Sequence, residues 1–296
     1  MPPIIDAHHH IWRQSDLPWL QGPTVPRIFG PYDGIKRDYP IDEYLQDIAG
    51  TGVVKSIYVQ ANWPGDKALD EVAWVQSVAD ASGWPHGIVG FVDFLDDGAP
   101  DLMRAQARVP LMRGVRQQLH WHDNPLYRFA PRPDVMNEPR FRKNLALLQD
   151  YDWPFELQIF AAQMPDGARL ARDLPGITFV LEHAGMPEDW TPQGRTLWRD
   201  GMRRLADHRN VSTKLSAFGT FLHRVDRQYI ADVVSETVDI FGADRCIWGS
   251  NFPIEKLWAS YRDVFDATMA ALLPLSDDDR GLILSANAAT IYRLSP

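Results

Sequence analysis

Ile4-Ile5-Asp6-Ala7-His8-His9-His10-Ile11-Trp12 opens the chain, and its reading separates two folds. The apolar, β-branched start reads as a strand. A doubly wound sheet of the dinucleotide-binding kind would follow it with a Gly-rich phosphate turn. Here the strand runs into three histidines and an aromatic loop. Seven more β-rich runs follow, at 54–60, 87–93, 112–119, 155–160, 177–183, 211–217 and 245–251. Helix-period stretches lie between them. Ile41, Tyr44, Leu45 and Ile48 keep the i, i+3, i+4, i+7 spacing before Gly50, as Ile230, Val233, Val234, Val238 and Phe241 do before Gly242. Phe141, Leu145 and Leu148 form a third face, and Trp198, Met202 and Leu205 a fourth. Eight strands alternating with helices imply a parallel sheet, and eight is the number that closes a barrel. The reading is an α/β fold, a single (β/α)8 TIM barrel over 1–296, with long loops after strand one (12–40) and strand four (120–138). Both loops leave the C-terminal ends of strands, where barrel enzymes keep their sites. Their aromatics and prolines, among them Trp12, Trp19, Trp121, Tyr127 and Pro131, suit ordered lids.

Composition narrows the partners. The chain has 30 Lys and Arg against 39 Asp and Glu, a formal charge of -9, which argues against nucleic acid. No apolar run approaches the roughly 20 residues of a membrane helix. The single Cys246 excludes an internal disulfide and a Cys-based zinc site, and fits a reducing compartment. The start MPPIIDAHHHIW lacks the basic and apolar regions of a signal peptide, so the cytoplasm is expected. A small-molecule substrate is the expected partner, and a homo-oligomer is compatible with this composition.

Four motifs carry candidate chemistry. Side chains alternate along a strand, which puts Asp6, His8 and His10 on one face and Ala7, His9 and Ile11 on the other. Two imidazoles so spaced suit one metal ion or one substrate carbonyl. Within 113–120 the same alternation groups Arg116, Gln118 and His120. A buried Arg116 needs a partner, which an anionic or carbonyl substrate, or a nearby carboxylate, would supply. Val180-Leu181-Glu182-His183-Ala184-Gly185 ends in a histidine suited to general base or ligand. Ile247-Trp248-Gly249-Ser250-Asn251 brings Asn251 to the barrel mouth.

Taken in order, these motifs resemble the amidohydrolase-related family of the amidohydrolase superfamily, in the branch of sugar-lactone and pyrone-dicarboxylate lactonases. The resemblance spans nearly the whole chain. It runs from Asp6-x-His8-x-His10 through Arg113-Gly114-Val115-Arg116, His183-x-Gly185-x-Pro187 and Gly249-Ser250-Asn251-Phe252-Pro253 to Asn287-Ala288-Ala289 with Tyr292. It implies that His8, His10 and His183 line the site and that Arg116 binds substrate. Two positions depart from the family pattern. The strand-eight aspartate is Asn251, and Gln158 stands where metal-dependent relatives carry a strand-five histidine. An amide is a poor base and a weaker ligand than a carboxylate. The expectation is therefore no required metal, or a weakly held Zn or Mn on His8 and His10.

The first function expected is hydrolysis of a small lactone of sugar or pyrone type. His8, His10 and Arg116 would polarise the carbonyl, His183 would deprotonate water, tuned by Glu182 if it reaches, and Asn251 would position the water. Gln158, His120, Trp121 and Lys214 would shape the substrate pocket, Lys214 if the register turns it inward. A lyase decarboxylating a small unsaturated or aromatic acid is the second reading. A binding protein that has lost its base is the third.

Overall fold

The computed structural model describes residues 3–294. Its eight strands are β1 (Ile4–His9), β2 (Val53–Val59), β3 (Gly87–Phe91), β4 (Met112–Gln118), β5 (Phe155–Gln158), β6 (Phe179–Leu181), β7 (Val211–Leu215) and β8 (Cys246–Trp248). All neighbours pair in parallel, in the order β1 to β8. The sheet comes round on itself beyond the end of β8, where His9 bridges Phe252, Asn251 N donates to His8 O at 2.7 Å and His10 N to Phe252 O at 2.7 Å. The result is the expected (β/α)8 barrel. Among the described residues no helix is long and apolar enough to cross a membrane.

Two apolar layers fix the architecture. Between strands and helices lies the larger core, into which the helices Ile41–Asp47, Pro139–Leu145, Pro192–Ala206 and Arg227–Phe241 turn the faces read from their spacing. Inside the barrel Ile5, Ala7, Ile57, Val59, Val89 and Val180 pack together, with Ala288 and Tyr292 plugging the floor from the C-terminal end of the chain. Asn287 anchors that end by donating to Ala243 O (2.7 Å) and Cys246 O (2.8 Å).

Two sequence expectations are corrected here. Asp6 does not share a face with His8 and His10. The β1–β2 register slips between Asp6 and His9, which pair with Ser56 and Tyr58. One extra residue on β1 lets Ala7 and His8 face inward in succession, as in a β-bulge. Asp6 therefore points outward, where its carboxylate accepts from Tyr44 and Tyr261 hydroxyls (3.0 and 2.9 Å) and from Ser250 N (2.8 Å). The strands β6 and β8 also end before the expected 183 and 251. The backbone turns left-handed at His183 (φ 58°) and Asn251 (φ 59°), so neither residue continues its strand.

Candidate active site

The strand ends surround a cavity of about 220 Å³ at the C-terminal mouth. Its floor carries His10, Arg116, Gln118, Gln158, His183 and Asn251, and His120 lies beside them. Asn62, His183, Met186, Ala217 and Asn251, all lining the cavity, have positive φ without being glycine. Such backbone costs of order 1–3 kcal/mol per residue and persists where packing over-determines it, which is common at working sites.

Below the floor stands a buried charge network. Arg116 NH1 lies 3.2 Å from Glu182 Oε2, and its NH2 donates to Gln60 O at 2.5 Å. Lys214 Nζ lies 2.5 Å from Glu156 Oε2, and Glu156 also takes a hydrogen bond from Tyr292. Burial opposes ionisation of Glu182, but Arg116, His183 and Lys214 outweigh it and hold the carboxyl down at about 2. Burial dominates at Glu156 and pushes it up to about 7, against the pull of Lys214. Two cations thus meet two carboxyls out of water, and Arg116 already has a partner within the protein.

The histidines are neutral. Burial first, then Arg116, pushes His10 down to about 3, and burial puts His183 at about 4. His10 Nδ1 lies 2.7 Å from Val59 O. A carbonyl only accepts, so Nδ1 carries the proton and Nε2 keeps its lone pair. His10 is therefore an acceptor or ligand at its free nitrogen, not the donor to a carbonyl that the sequence suggested. His183 Nδ1 lies 2.8 Å from Ser216 Oγ, with Nε2 3.8 Å from Glu182 Oε2. His8 is fully buried behind the cavity, its ring 5.1 Å from that of His10 and 4.8 Å from that of His183. Its Nδ1 is 3.3 Å from both Glu182 Oε1 and Lys214 Nζ, and its Nε2 has no partner.

Atoms of His8, Glu182 and His183 able to ligate lie within 4.8 Å of one another. If His8 Nδ1–H donates to Glu182, Nε2 offers a lone pair in the carboxylate–histidine arrangement common beside metals. These donors fit a divalent cation. Arg116 and Lys214, set against the same carboxylate and imidazole, oppose its charge, which suits a loosely held ion.

The remaining sequence candidates divide. Gln158 Oε1, Gln118 Oε1 and His120 Nδ1 are buried without partners, and all three residues line the cavity. Lys214 does turn inward, yet it ends in the network under the floor and does not line the cavity. Trp121 is not in the lining either; Arg128, which is, lies over its ring at 4.7 Å. Sequence reasoning missed Ser216 and Glu156, although alternation from Lys214 and from Gln158 would have found them. The loop after β7, with Phe218 and Phe221 in the lining, was also missed.

An amidohydrolase family model matches residues 5–294. An uncharacterised protein of Sinorhizobium fredii, y4mH, is 33% identical over 293 residues, covering 98% of each chain. An L-fucono-1,5-lactonase of Burkholderia ambifaria is 27% identical over 297 residues, covering 98% of this chain and 95% of its own. The crystal structure of an amidohydrolase from Burkholderia multivorans with bound zinc superposes with a TM-score of 0.83, at 26% identity and 99% coverage of both chains.

Proposed function

The chain belongs to the amidohydrolase family and is a hydrolase, and from that premise we propose that it opens a small lactone by water attack on the ring ester. The observation that carries this reading is a complementary pair at the cavity floor. Arg116 Nε–H is buried without a partner, and His183 has its Nδ1 on Ser216. An unpaired buried N–H is costly unless a ligand completes it. A carbonyl oxygen would complete this one, and the guanidinium would stabilise the oxyanion that forms.

With Ser216 accepting from Nδ1, His183 Nε2 carries the lone pair of a general base, unprotonated at neutral pH. It takes the proton of the attacking water and returns it to the ring oxygen as the tetrahedral intermediate collapses and the acyl C–O bond breaks. Asn251 holds that water, its backbone fixed by the bond to His8 O and its side chain by Glu255. Gln158 and His120 hold the ring substituents. A divalent cation held by His8 and Glu182, two of the three groups whose ligating atoms lie together, would supply Lewis acidity at the carbonyl and leave His183 Nε2 free as the base. The lactonase relative and the zinc-bound amidohydrolase support the reaction class and the ion, respectively.

A pH-indicator hydrolysis assay over sugar, pyrone and simple lactones, run with and without a strong chelator, tests the reading. Turnover that largely survives the chelator is expected. Turnover abolished by the chelator and restored by zinc or manganese would make the ion essential. Release of carbon dioxide from an unsaturated or aromatic acid, with every lactone inert, would replace the lactonase by a lyase.

A further inference from the structure

We propose that Glu71 is a positioning residue for the hydrolysis: it clamps the turn that leaves β2, and that turn holds His10, Arg116 and Trp19 in place. The proposal rests on the lactonase reading for what those groups do, not for what holds them. Glu71 does not line the cavity. It stands in the first turn of the helix Ala68–Ser82 and is fully buried.

Three successive carbonyls give the turn its importance. Val59 O accepts from His10 Nδ1 at 2.7 Å, Gln60 O from Arg116 NH2 at 2.5 Å and Ala61 O from Trp19 Nε1 at 3.0 Å. One residue after another, the run 59–61 fixes the tautomer of His10, the guanidinium of Arg116 and the loop that follows β1. Asn62 continues it with left-handed backbone (φ 63°), its N–H donating to Gln60 Oε1 at 2.7 Å. Ala61 and Asn62 themselves line the cavity.

The sheet does not hold this run to its end. Gln60 N still donates to Val89 O, at 2.8 Å, as the chain leaves β2. One residue on, the Ala61 N–H has no strand partner, and a buried N–H needs an acceptor. Glu71 Oε1 supplies it at 2.6 Å and also accepts from Tyr58 OH at 2.7 Å. Both bonds end on one oxygen, while Oε2 is buried without a partner. Holding a carboxyl out of water is costly, and here both of its bonds go to the exit of β2. A shift of that exit moves all three site groups together, which loss of any one of their own contacts would not.

The test compares two variants of similar bulk. In Glu71→Gln the amide oxygen can replace Oε1 while the NH2 group takes the place of Oε2; Glu71→Met offers only a weak acceptor. Glu71→Asp, one methylene shorter, withdraws the acceptor in a second way should the Met variant fail to fold. On the best lactone of the screen, kcat is expected to fall between about tenfold and a hundredfold in the Met and Asp variants, as misplacement of reacting groups does. Glu71→Gln should keep most of its turnover. Proton NMR of the Arg116 Nε–H, assigned by its loss in Arg116→Lys, reads the same effect without substrate. A resonance shifted or broadened in the Met and Asp variants, and unmoved in Glu71→Gln, supports the proposal. Folded Met or Asp variants that melt lower yet keep wild-type kcat and an unmoved Arg116 resonance would make Glu71 a structural anchor only, and overturn it. A Gln variant as impaired as the Met one overturns it too. If no lactone is hydrolysed, the lactonase reading fails, while the Arg116 resonance still decides whether Glu71 sets that guanidinium.

Discussion

His183 and Arg116 show how burial sets chemistry one residue at a time. Burial in the barrel mouth lowers the imidazole pKa to about 4, so the base is ready at neutral pH without first losing a proton. Its neighbour Ser216 orients the ring, and neither property can be read from an isolated histidine. Arg116 shows the opposite correction. Its sequence position asked for an anionic or carbonyl substrate or a nearby carboxylate, and Glu182 supplies the last of these and leaves only Nε to be completed. His183→Ala is expected to lower lactone turnover by at least about a hundredfold, the usual loss on removing a general base. The folded content of the variant, followed by circular dichroism, should stay at the wild-type level. Near-normal turnover would take His183 out of the role.

At the scale of elements, the junction of β8 with β1 does most to place the site. Gly249 runs against β1 so closely that a Cβ there would sit 2.7 Å from His8 Cβ and 2.9 Å from His8 N. Neither atom moves without moving the strand. Gly249→Ala is expected to cost about 1–3 kcal/mol, as overpacked cores do, and to lower turnover by displacing His8. Gly281→Ala, where a Cβ meets nothing within 4 Å and the backbone is helical, serves as the control and should leave turnover unchanged and the melt unchanged or slightly raised. Thermal melts of the two variants beside the hydrolysis assay decide it. Equal melts would mean that the barrel closes more loosely here than the contacts require.

For the whole molecule, buried ionisable groups predict a stability optimum. Burial pushes Glu71, Glu156, Glu188 and Glu255 up to about 7. A carboxyl raised in the fold contributes most while protonated, and that contribution is lost as pH climbs from its ordinary 4.5 through 7. The imidazoles of His8, His9, His10, His120 and His183 are pushed the other way, also by burial. Their contribution is complete above the ordinary 6.5 and is lost as pH falls toward 4 and 3. Below 6.5 the histidines oppose the carboxyls and outnumber them, while above it only the carboxyls still titrate. The melting temperature should therefore peak at about pH 6.5 and decline on both sides. A midpoint still rising at pH 8 would contradict the burial of these carboxyls.

Sequence by itself determined the barrel and which strand ends meet at its mouth, because hydrophobic period and strand count are local properties that survive in one dimension. The alternation in 113–120 grouped Arg116, Gln118 and His120 correctly, and the helical faces at 41–48 and 230–241 pack as their spacing implies. Only the tertiary structure decided what each group faces. One extra residue in β1 turned Asp6 out of the barrel and brought His8 in, which strict alternation could not anticipate. Left-handed backbone at His183 and Asn251 took both side chains off their strands and into the cavity. The pairings Arg116–Glu182 and Lys214–Glu156 join residues from different strands and strand ends of the barrel. Charge compensation and hydrogen-bond satisfaction are properties of three-dimensional neighbourhoods, so they appear only when the sheet has closed.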